Sequence, residues 1–281
     1  MSEHNVALVT GSTDGIGFET AKGLAQRNFT TIIVGRNEER GQAAKQAIRE
    51  ASGQRRVHFI AADLSSQEAT LSLVNEVQQR FNRLDVLINN VGSLMKERRE
   101  TVDGIEWMLA MNHLNPFLLT LQLLPLLRSS APSRIINVTS NTHRMVRLNL
   151  DDVQGHTKFA GMQLYGQAKL LHLLTSYELG RRLESSGVTV NIADPGGADT
   201  PMSRHGMGLV ARLMTLAGFT RKRAAQSSMY LATTSEIQGL SGVYIRPNLT
   251  RGRSSDLSYD PELAKRTWSI SEQLLKYPVT L

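Results

Sequence analysis

Cysteine is absent from this 281-residue chain. Disulfides, thiolate metal sites and cysteine nucleophiles are thereby excluded, and a reducing compartment suits the composition. No uninterrupted apolar run approaches the roughly 20 residues that a membrane-spanning helix needs. The longest, from Leu114 to Leu127, is broken by Pro116 and Pro125 and reads as a core helix. No basic segment followed by an apolar stretch precedes the first strand pattern, so no secretory signal and a cytoplasmic location are expected. The glycosylation-like triplets at Asn28, Asn137 and Asn248 are then chance matches, Asn137 falling inside a buried strand pattern.

Other absences narrow the chemistry. The seven histidines show no His-Glu-x-x-His or comparable ligand spacing, so no metal is expected. No Gly-x-Ser-x-Gly elbow is present, which argues against a hydrolase. Net charge is +7, yet the basic residues lie in ones, twos and threes (Arg98-Arg99, Arg181-Arg182, Arg221-Lys222-Arg223) without interleaved aromatics. That pattern matches no nucleic-acid-binding motif, so no nucleic-acid partner is expected. No linker rich in Pro, Gly or Ser divides the chain and no repeat is visible, so residues 1–281 are read as one domain.

What is present is alternation. Apolar runs at Val6–Thr10, Thr30–Gly35, Arg56–Ala61, Leu84–Asn89, Arg134–Thr139, Val188–Ala193 and Gly242–Ile245 read as strands. Most are continuously apolar, as strands covered on both faces are. Segments of helical length lie between them: Gly17–Arg27, Glu38–Ser52, Ser66–Phe81, Gly104–Arg128 and Leu164–Ser185. The expected fold is an α/β, Rossmann-type, doubly wound parallel sheet of about seven strands flanked by helices. Residues 200–220 interrupt the alternation with glycines and methionines and read as an apolar flap over a pocket. Residues 246–281 read as a polar excursion and a short helix, Pro261 to Lys276, forming a substrate-side extension.

The first strand ends in Thr10-Gly11-Ser12-Thr13-Asp14-Gly15-Ile16-Gly17 and a helix pattern follows at once. Three glycines allow a tight turn and a close approach of backbone to a pyrophosphate, and a helix N-terminus offers N–H groups and partial positive charge. The strand-turn-helix context makes this a dinucleotide site. The second strand ends Val34-Gly35-Arg36-Asn37, and Arg36, 19 residues past Gly17, occupies the place of the carboxylate that would accept from the ribose of NAD. A guanidinium there pairs with a 2′-phosphate, worth about 1.5–3 kcal/mol as a charge-assisted hydrogen bond. NADP(H) is therefore favoured over NAD(H).

Tyr165-Gly166-Gln167-Ala168-Lys169 sets a phenol and an ammonium four residues apart, on one helix face. A free phenol titrates near 10, too high for proton exchange at neutral pH. A nearby cation lowers an acidic group by about 1–3 units. The pair can therefore deliver a proton to an alkoxide, or take one from an alcohol.

The Gly-x-x-x-Gly-x-Gly spacing and this Tyr-x-x-x-Lys pair resemble the short-chain dehydrogenase/reductase family. The resemblance implies further roles, residue by residue. Ser140, ending the fifth strand, would donate a hydrogen bond to the substrate carbonyl, and Lys169 would also bond the nicotinamide ribose. Asn112 would distort the fourth crossover helix and anchor a proton-relay water. Asp63 would meet the adenine amino group, with a backbone contact from Leu64. Asn89-Asn90-Val91-Gly92 matches the family's Asn-Asn-Ala-Gly beside the adenosine, with Val for Ala, and Pro195-Gly196…Thr200 matches the turn near the nicotinamide carboxamide. The 25 residues from Ser140 to Tyr165 exceed the family's usual dozen, but the retinol-dehydrogenase-like branch carries a comparable insertion. That branch also has a C-terminal segment like Asp260-Pro261-Glu262…Trp268-Ser269. The resemblance implies an NADP(H)-dependent oxidoreductase acting on a medium-to-large, mostly apolar carbonyl or alcohol. Homo-oligomerisation through the Asn112 and Tyr165 helices is common in the family, although this branch often departs from it. A different class, an NADP sensor or scaffold without turnover, has no chemical reason to keep the Ser140/Tyr165/Lys169/Asn112 set. His143, three residues past Ser140, is read either as lining the substrate pocket or as an ordinary loop histidine.

Overall fold

The structure is a computed structural model that describes residues 4–196 and 220–278. Its centre is one sheet of eight strands. In chain order these are β1 (Val6–Thr10), β2 (Thr30–Gly35), β3 (Val57–Ala61), β4 (Val86–Asn89), β5 (Ser133–Val138), β6 (Val188–Ala193), β7 (Tyr244–Ile245) and β8 (Arg251–Gly252). The spatial order is β3-β2-β1-β4-β5-β6-β7-β8, parallel throughout except for β8, which runs against β7. The chain turns outward in both directions from β1 and β4, and a crevice opens there beyond their carboxyl ends, where ligands of such sheets bind.

Alternate residues on each strand face opposite sides, and both sides are covered. Leu8, Ile32 and Ile135 join one core with Leu73 and Val77 of α3 (Gln67–Arg80) and Leu118 and Leu121 of α5 (Asn115–Ser129). Ala7, Val9, Ile33 and Ile136 join the other with Leu24 of α1 (Gly15–Ala25), Ile48 of α2 (Glu38–Ser52) and Leu231 of a helix late in the chain. Burial on two faces explains the unbroken apolar runs, and all five residues of β1 are buried.

Two departures from the sequence reading have local causes. The sheet has eight strands where about seven were expected. Residues after Arg246 turn back through Leu249, whose φ is +64°, and pair two residues with β7. A two-residue strand has no periodicity to detect. The segment read as one helix from Gly104 to Arg128 is three pieces: α4 (Trp107–Leu109), a π-helical turn (Ala110–Leu114) and α5. Pro116 has no N–H to give the Asn112 carbonyl, so the ladder slips. The N–H of Asn115 bonds the carbonyl of Ala110, five residues back.

The remaining helices are α6 (Gly161–Arg182), α7 (Arg221–Ala224), α8 (Gln226–Thr233) and α9 (Pro261–Leu274). Between β5 and α6 the long insertion folds as two short 3-10 turns, Asn141–Arg144 and Leu150–Asp152. α9 packs on α5 and α6. The Trp268 ring meets Phe117 edge-on at 4.7 Å, and the guanidinium of Arg182 lies 4.0 Å from the Trp268 ring centre. The expected flap and Thr200 lie outside the described residues, apart from Thr220 at the flap's far end.

Candidate active site

The phosphate turn is tight because of where its glycines stand. Gly11 and Gly15 have φ of +61° and +64°, which disfavour any side chain. A Cβ on Gly17 would lie 2.4 Å from the Gly11 carbonyl oxygen and 2.5 Å from Asn90 Nδ2. The turn is braced from β4. Asn90 Nδ2 donates to the carbonyls of Thr10 (2.9 Å) and Gly11 (3.2 Å), while Thr10 Oγ1 accepts from the N–H groups of Asn90 and Val91 at 3.0 Å each. Ser12 bridges β1 to β2: its hydroxyl donates to Val9 O (2.6 Å) and accepts from Val34 N (2.9 Å), and its N–H bonds Val34 O. Asn90 and Ser12 thus brace the turn and leave the first-turn amides of α1, including Ile16 and Gly17, at its open end.

At the β2 end of the turn, Thr13 packs on Gly35, where a Cβ would come within 2.5 Å of its methyl group. Arg36 is exposed just past β2, and its side chain makes no ion pair among the described residues. Asn37 caps α2 by accepting from Arg40 N at 2.8 Å. Asp14 caps α1, accepting from Gly15 N at 2.6 Å, and pairs with Arg221 (2.7 Å) and Arg40 (3.3 Å). These two arginines were not among the residues singled out from the sequence. Arg40 lay in an ordinary polar helix face, and Arg221 lies 207 residues from its partner. Asp63 is exposed past β3 and accepts from Ser65 N at 3.1 Å, while the buried Leu64 offers its carbonyl to Asn115 Nδ2 (2.7 Å). Gly92 is half-buried beyond β4.

At the other end, α6 carries Tyr165 and Lys169 on one buried face, 5% and 4% exposed. The Ser140 hydroxyl lies on the side of Tyr165 where it favours the ionised phenol. It also accepts from Thr142 Oγ1 at 3.1 Å. Lys169 Nζ donates to Val138 O at 3.1 Å. Burial raises the Tyr165 phenol above its usual value, opposed by the nearby Ser140 hydroxyl, and lowers Lys169 to about 8. Desolvation, not the neighbouring ammonium, therefore dominates the phenol in the protein alone.

Asn112 sits in the π-turn with its side chain engaged on three sides. Nδ2 donates to Ser93 O and Met108 O, both 2.8 Å, and Oδ1 accepts from Ser93 N at 3.1 Å. It ties the loop after β4 to α4. The ring of His143 is 1% exposed and bonded at both nitrogens, Nδ1 to Ser140 O (2.6 Å) and Nε2 to the N–H of Ser255 (3.1 Å). Since an N–H must find a lone pair on Nε2, the proton is on Nδ1 and the ring is neutral. Ser255, which the sequence did not suggest, thus fastens the C-terminal segment to the Ser140 turn. Leu94, Met95, Met108, Phe159 and Leu164 pack with Tyr165 into an apolar cluster. Past β6, Pro195 is buried and Gly196 (φ +65°) donates its N–H to Asp194 Oδ1 at 2.8 Å. Among the described residues no cluster of His, Asp or Glu could hold a metal.

The geometry agrees with comparisons to known proteins. The family model described as short chain dehydrogenase matches residues 5–206. The polyprenol dehydrogenase of Homo sapiens is 36% identical over 276 residues, covering 95% of this chain and 83% of that protein. Retinol dehydrogenase 11 of Mus musculus is 34% identical, covering 98% and 87%. Among solved structures, an uncharacterized protein from Mycobacterium paratuberculosis superposes with a TM-score of 0.79 at 29% identity, covering 99% of this chain and 95% of that one. The Pseudomonas aeruginosa RhlG/NADP active-site complex superposes with a TM-score of 0.69 at 27% identity, covering 87% and 96%. The chain belongs to the short-chain dehydrogenase/reductase family, in its retinol-dehydrogenase-like branch, and is an oxidoreductase of that family.

Proposed function

We propose that this protein is an NADP(H)-dependent reductase/dehydrogenase of medium-to-large, mostly apolar carbonyls and alcohols, with Tyr165 as the general acid/base. The observation that carries this reading is the buried Tyr165–Ser140 contact, with Lys169 one helical turn away and an apolar wall alongside. The turn at Gly11–Gly17 fits a dinucleotide: its glycines bring backbone close, and its braces hold it open before the α1 N-terminus. When bound, the nicotinamide supplies or takes up the hydride.

In reduction, Ser140 Oγ donates to the substrate oxygen and holds it against the phenol. As the hydride reaches the carbonyl carbon, negative charge grows on that oxygen, and Tyr165 passes it a proton. In oxidation the phenolate takes the proton back from the alcohol. Lys169, held by Val138 O, sits where its charge offsets the phenolate. Its depressed value, about 8, leaves it mostly protonated at neutral pH. Such general acid–base catalysis typically contributes about 10²–10⁴ in rate.

Two observations support the finer assignments. Exposed Arg36 at the end of β2 offers a cation where NAD-preferring sites offer a carboxylate, and the RhlG relative was solved with NADP. The apolar side chains Leu94, Met95, Met108 and Phe159 beside Tyr165 suit a hydrocarbon better than a sugar, and the curated relatives are named for polyprenol and retinol. Absorbance loss at 340 nm with NADPH and a panel of all-trans-retinal, farnesal, short aldehydes and polar ketones tests the reading. Turnover confined to the long apolar aldehydes and faster with NADPH than with NADH is expected. Binding of NADPH with no turnover of any of them would instead indicate a sensor.

A further inference from the structure

A serine hydroxyl has one proton and two lone pairs, and its rotor is free unless neighbours fix it. To hold a substrate carbonyl, Ser140 has to donate, so its one proton must point at the substrate oxygen. Thr142, two residues on, directs two donors at Ser140 Oγ: its hydroxyl at 3.1 Å and its N–H at the longer distance of 3.5 Å. The N–H bond is an ordinary cap for the 3-10 turn Asn141–Arg144 and accounts for that turn by itself. The hydroxyl bond is surplus to it. By placing a donor on a lone pair of Ser140, it closes that side of the oxygen to the Ser140 proton.

The turn is also held from two sides. The Ser140 carbonyl accepts from the His143 N–H at 3.2 Å and from its ring at 2.6 Å, and the far ring nitrogen accepts from Ser255. On the α6 side, Gly166 directly follows Tyr165. A Cβ there would lie 2.8 Å from the Thr142 carbonyl oxygen and 2.4 Å from Val146 Cγ1. The turn therefore rests against the backbone of the helix that carries the phenol, with no side chain between them.

We propose that Thr142 is a positioning residue for the reduction: its hydroxyl donates to Ser140 Oγ and so orients the Ser140 proton toward the substrate oxygen. A hydroxyl that accepts a hydrogen bond also donates more strongly, and the gain is largest as charge grows on that oxygen. The effect therefore falls on kcat more than on KM.

The inference rests on Ser140 being the carbonyl donor, and its test separates the two. Thr142→Val keeps the branched shape and the N–H but removes the hydroxyl, and Thr142→Ser keeps the hydroxyl. The readouts are kcat and KM for the aldehyde turned over fastest, at saturating NADPH, with NADPH Kd and a thermal melt as controls. In Thr142→Val, kcat should fall about three- to tenfold, the worth of one neutral hydrogen bond, with KM and the NADPH Kd within about twofold. Thr142→Ala carries the same expectation should valine lower the melting temperature. Thr142→Ser should stay within about twofold of the unaltered kcat.

Ser140→Ala supplies the decisive background. Alone it should lower kcat at least about tenfold, the worth of a hydrogen bond to a charged oxygen. Adding Thr142→Val to it should change kcat by less than about twofold, because Thr142 acts only through the lost hydroxyl. An unchanged kcat in both Thr142→Val and Thr142→Ala overturns the inference and leaves Ser140 in place. So does a Thr142→Ser as slow as Thr142→Val, or a full further loss in the Ser140→Ala background. A Ser140→Ala as fast as the unaltered protein, or no turnover of any aldehyde by the unaltered protein, overturns both.

Discussion

The two ends of the cofactor crevice are built in opposite ways. On the side of β1, β2 and the Gly11–Gly17 turn, the polar groups are backbone amides and exposed or half-exposed charges: Arg36, Arg40, Asp14 and Arg221. On the carbonyl side, around β5, β6 and α6, the chemistry-bearing groups are buried and held by bonds between distant segments. His143 joins Ser140 to Ser255, and Lys169 reaches back to Val138. Exposed charges supply affinity and selectivity, screened by water. Buried polar groups have shifted proton affinities and set the chemistry. Substitutions on the two sides should therefore move different quantities.

The largest expected effect is on the carbonyl side. Tyr165→Phe removes the proton donor from a site whose packing tolerates the ring, so kcat should fall by at least about a hundredfold. The Kd for NADPH, read by its fluorescence, should stay within about twofold, a few tenths of a kcal/mol. Residual turnover above about a tenth would reassign the proton donor. Gly17→Ala tests the other side. Its methyl would sit 2.4 Å from the Gly11 carbonyl and 2.5 Å from Asn90 Nδ2, in a turn that Asn90 already clamps. Overpacking of this kind costs about 1–3 kcal/mol. NADPH affinity should drop about tenfold or more, whereas turnover at saturating NADPH should change less.

A smaller effect follows from the buried histidines on and around α6. Burial holds His113 down to about 3, and it lowers His143 and His172 as well, with Lys169 and His113 adding to the effect on His172. Their folded values lie below the ordinary 6.5. As pH falls under that value, the unfolded chain takes up protons that the folded chain refuses. Stability is therefore fully present above about 6.5 and lost progressively below it, by up to about 1.4 kcal/mol per pH unit for each such ring. The urea midpoint should fall from pH 6.5 to pH 5, and more shallowly in His172→Asn. A midpoint flat across that window would show that these rings are not held neutral.

The same asymmetry governs what could be read from the sequence. β1, β2 and α2 have the bounds their apolar runs and helical segment announced, because strands buried on both faces leave local marks. The turn at Gly11–Gly17 was legible for the same reason. The π-turn at Asn112 was written in Pro116, yet nothing local says that Asn112 Nδ2 meets Ser93, 19 residues away. The grip of Ser255 on His143 spans 112 residues and that of Arg221 on Asp14 spans 207, so neither leaves a periodic or spacing signal. β8 is too short to leave one. Short-range order was legible; the long-range bonds that aim the side chains were not.

The most direct measurement compares single-turnover hydride transfer, at saturating NADPH and with all-trans-retinal, in Tyr165→Phe and Arg36→Ala. The account predicts a rate within about twofold of the unaltered protein for Arg36→Ala, whose loss lies in NADPH affinity, and at least a hundredfold slower for Tyr165→Phe. A Tyr165→Phe rate close to that of the unaltered protein, or an Arg36→Ala rate as low as that of Tyr165→Phe, would contradict it.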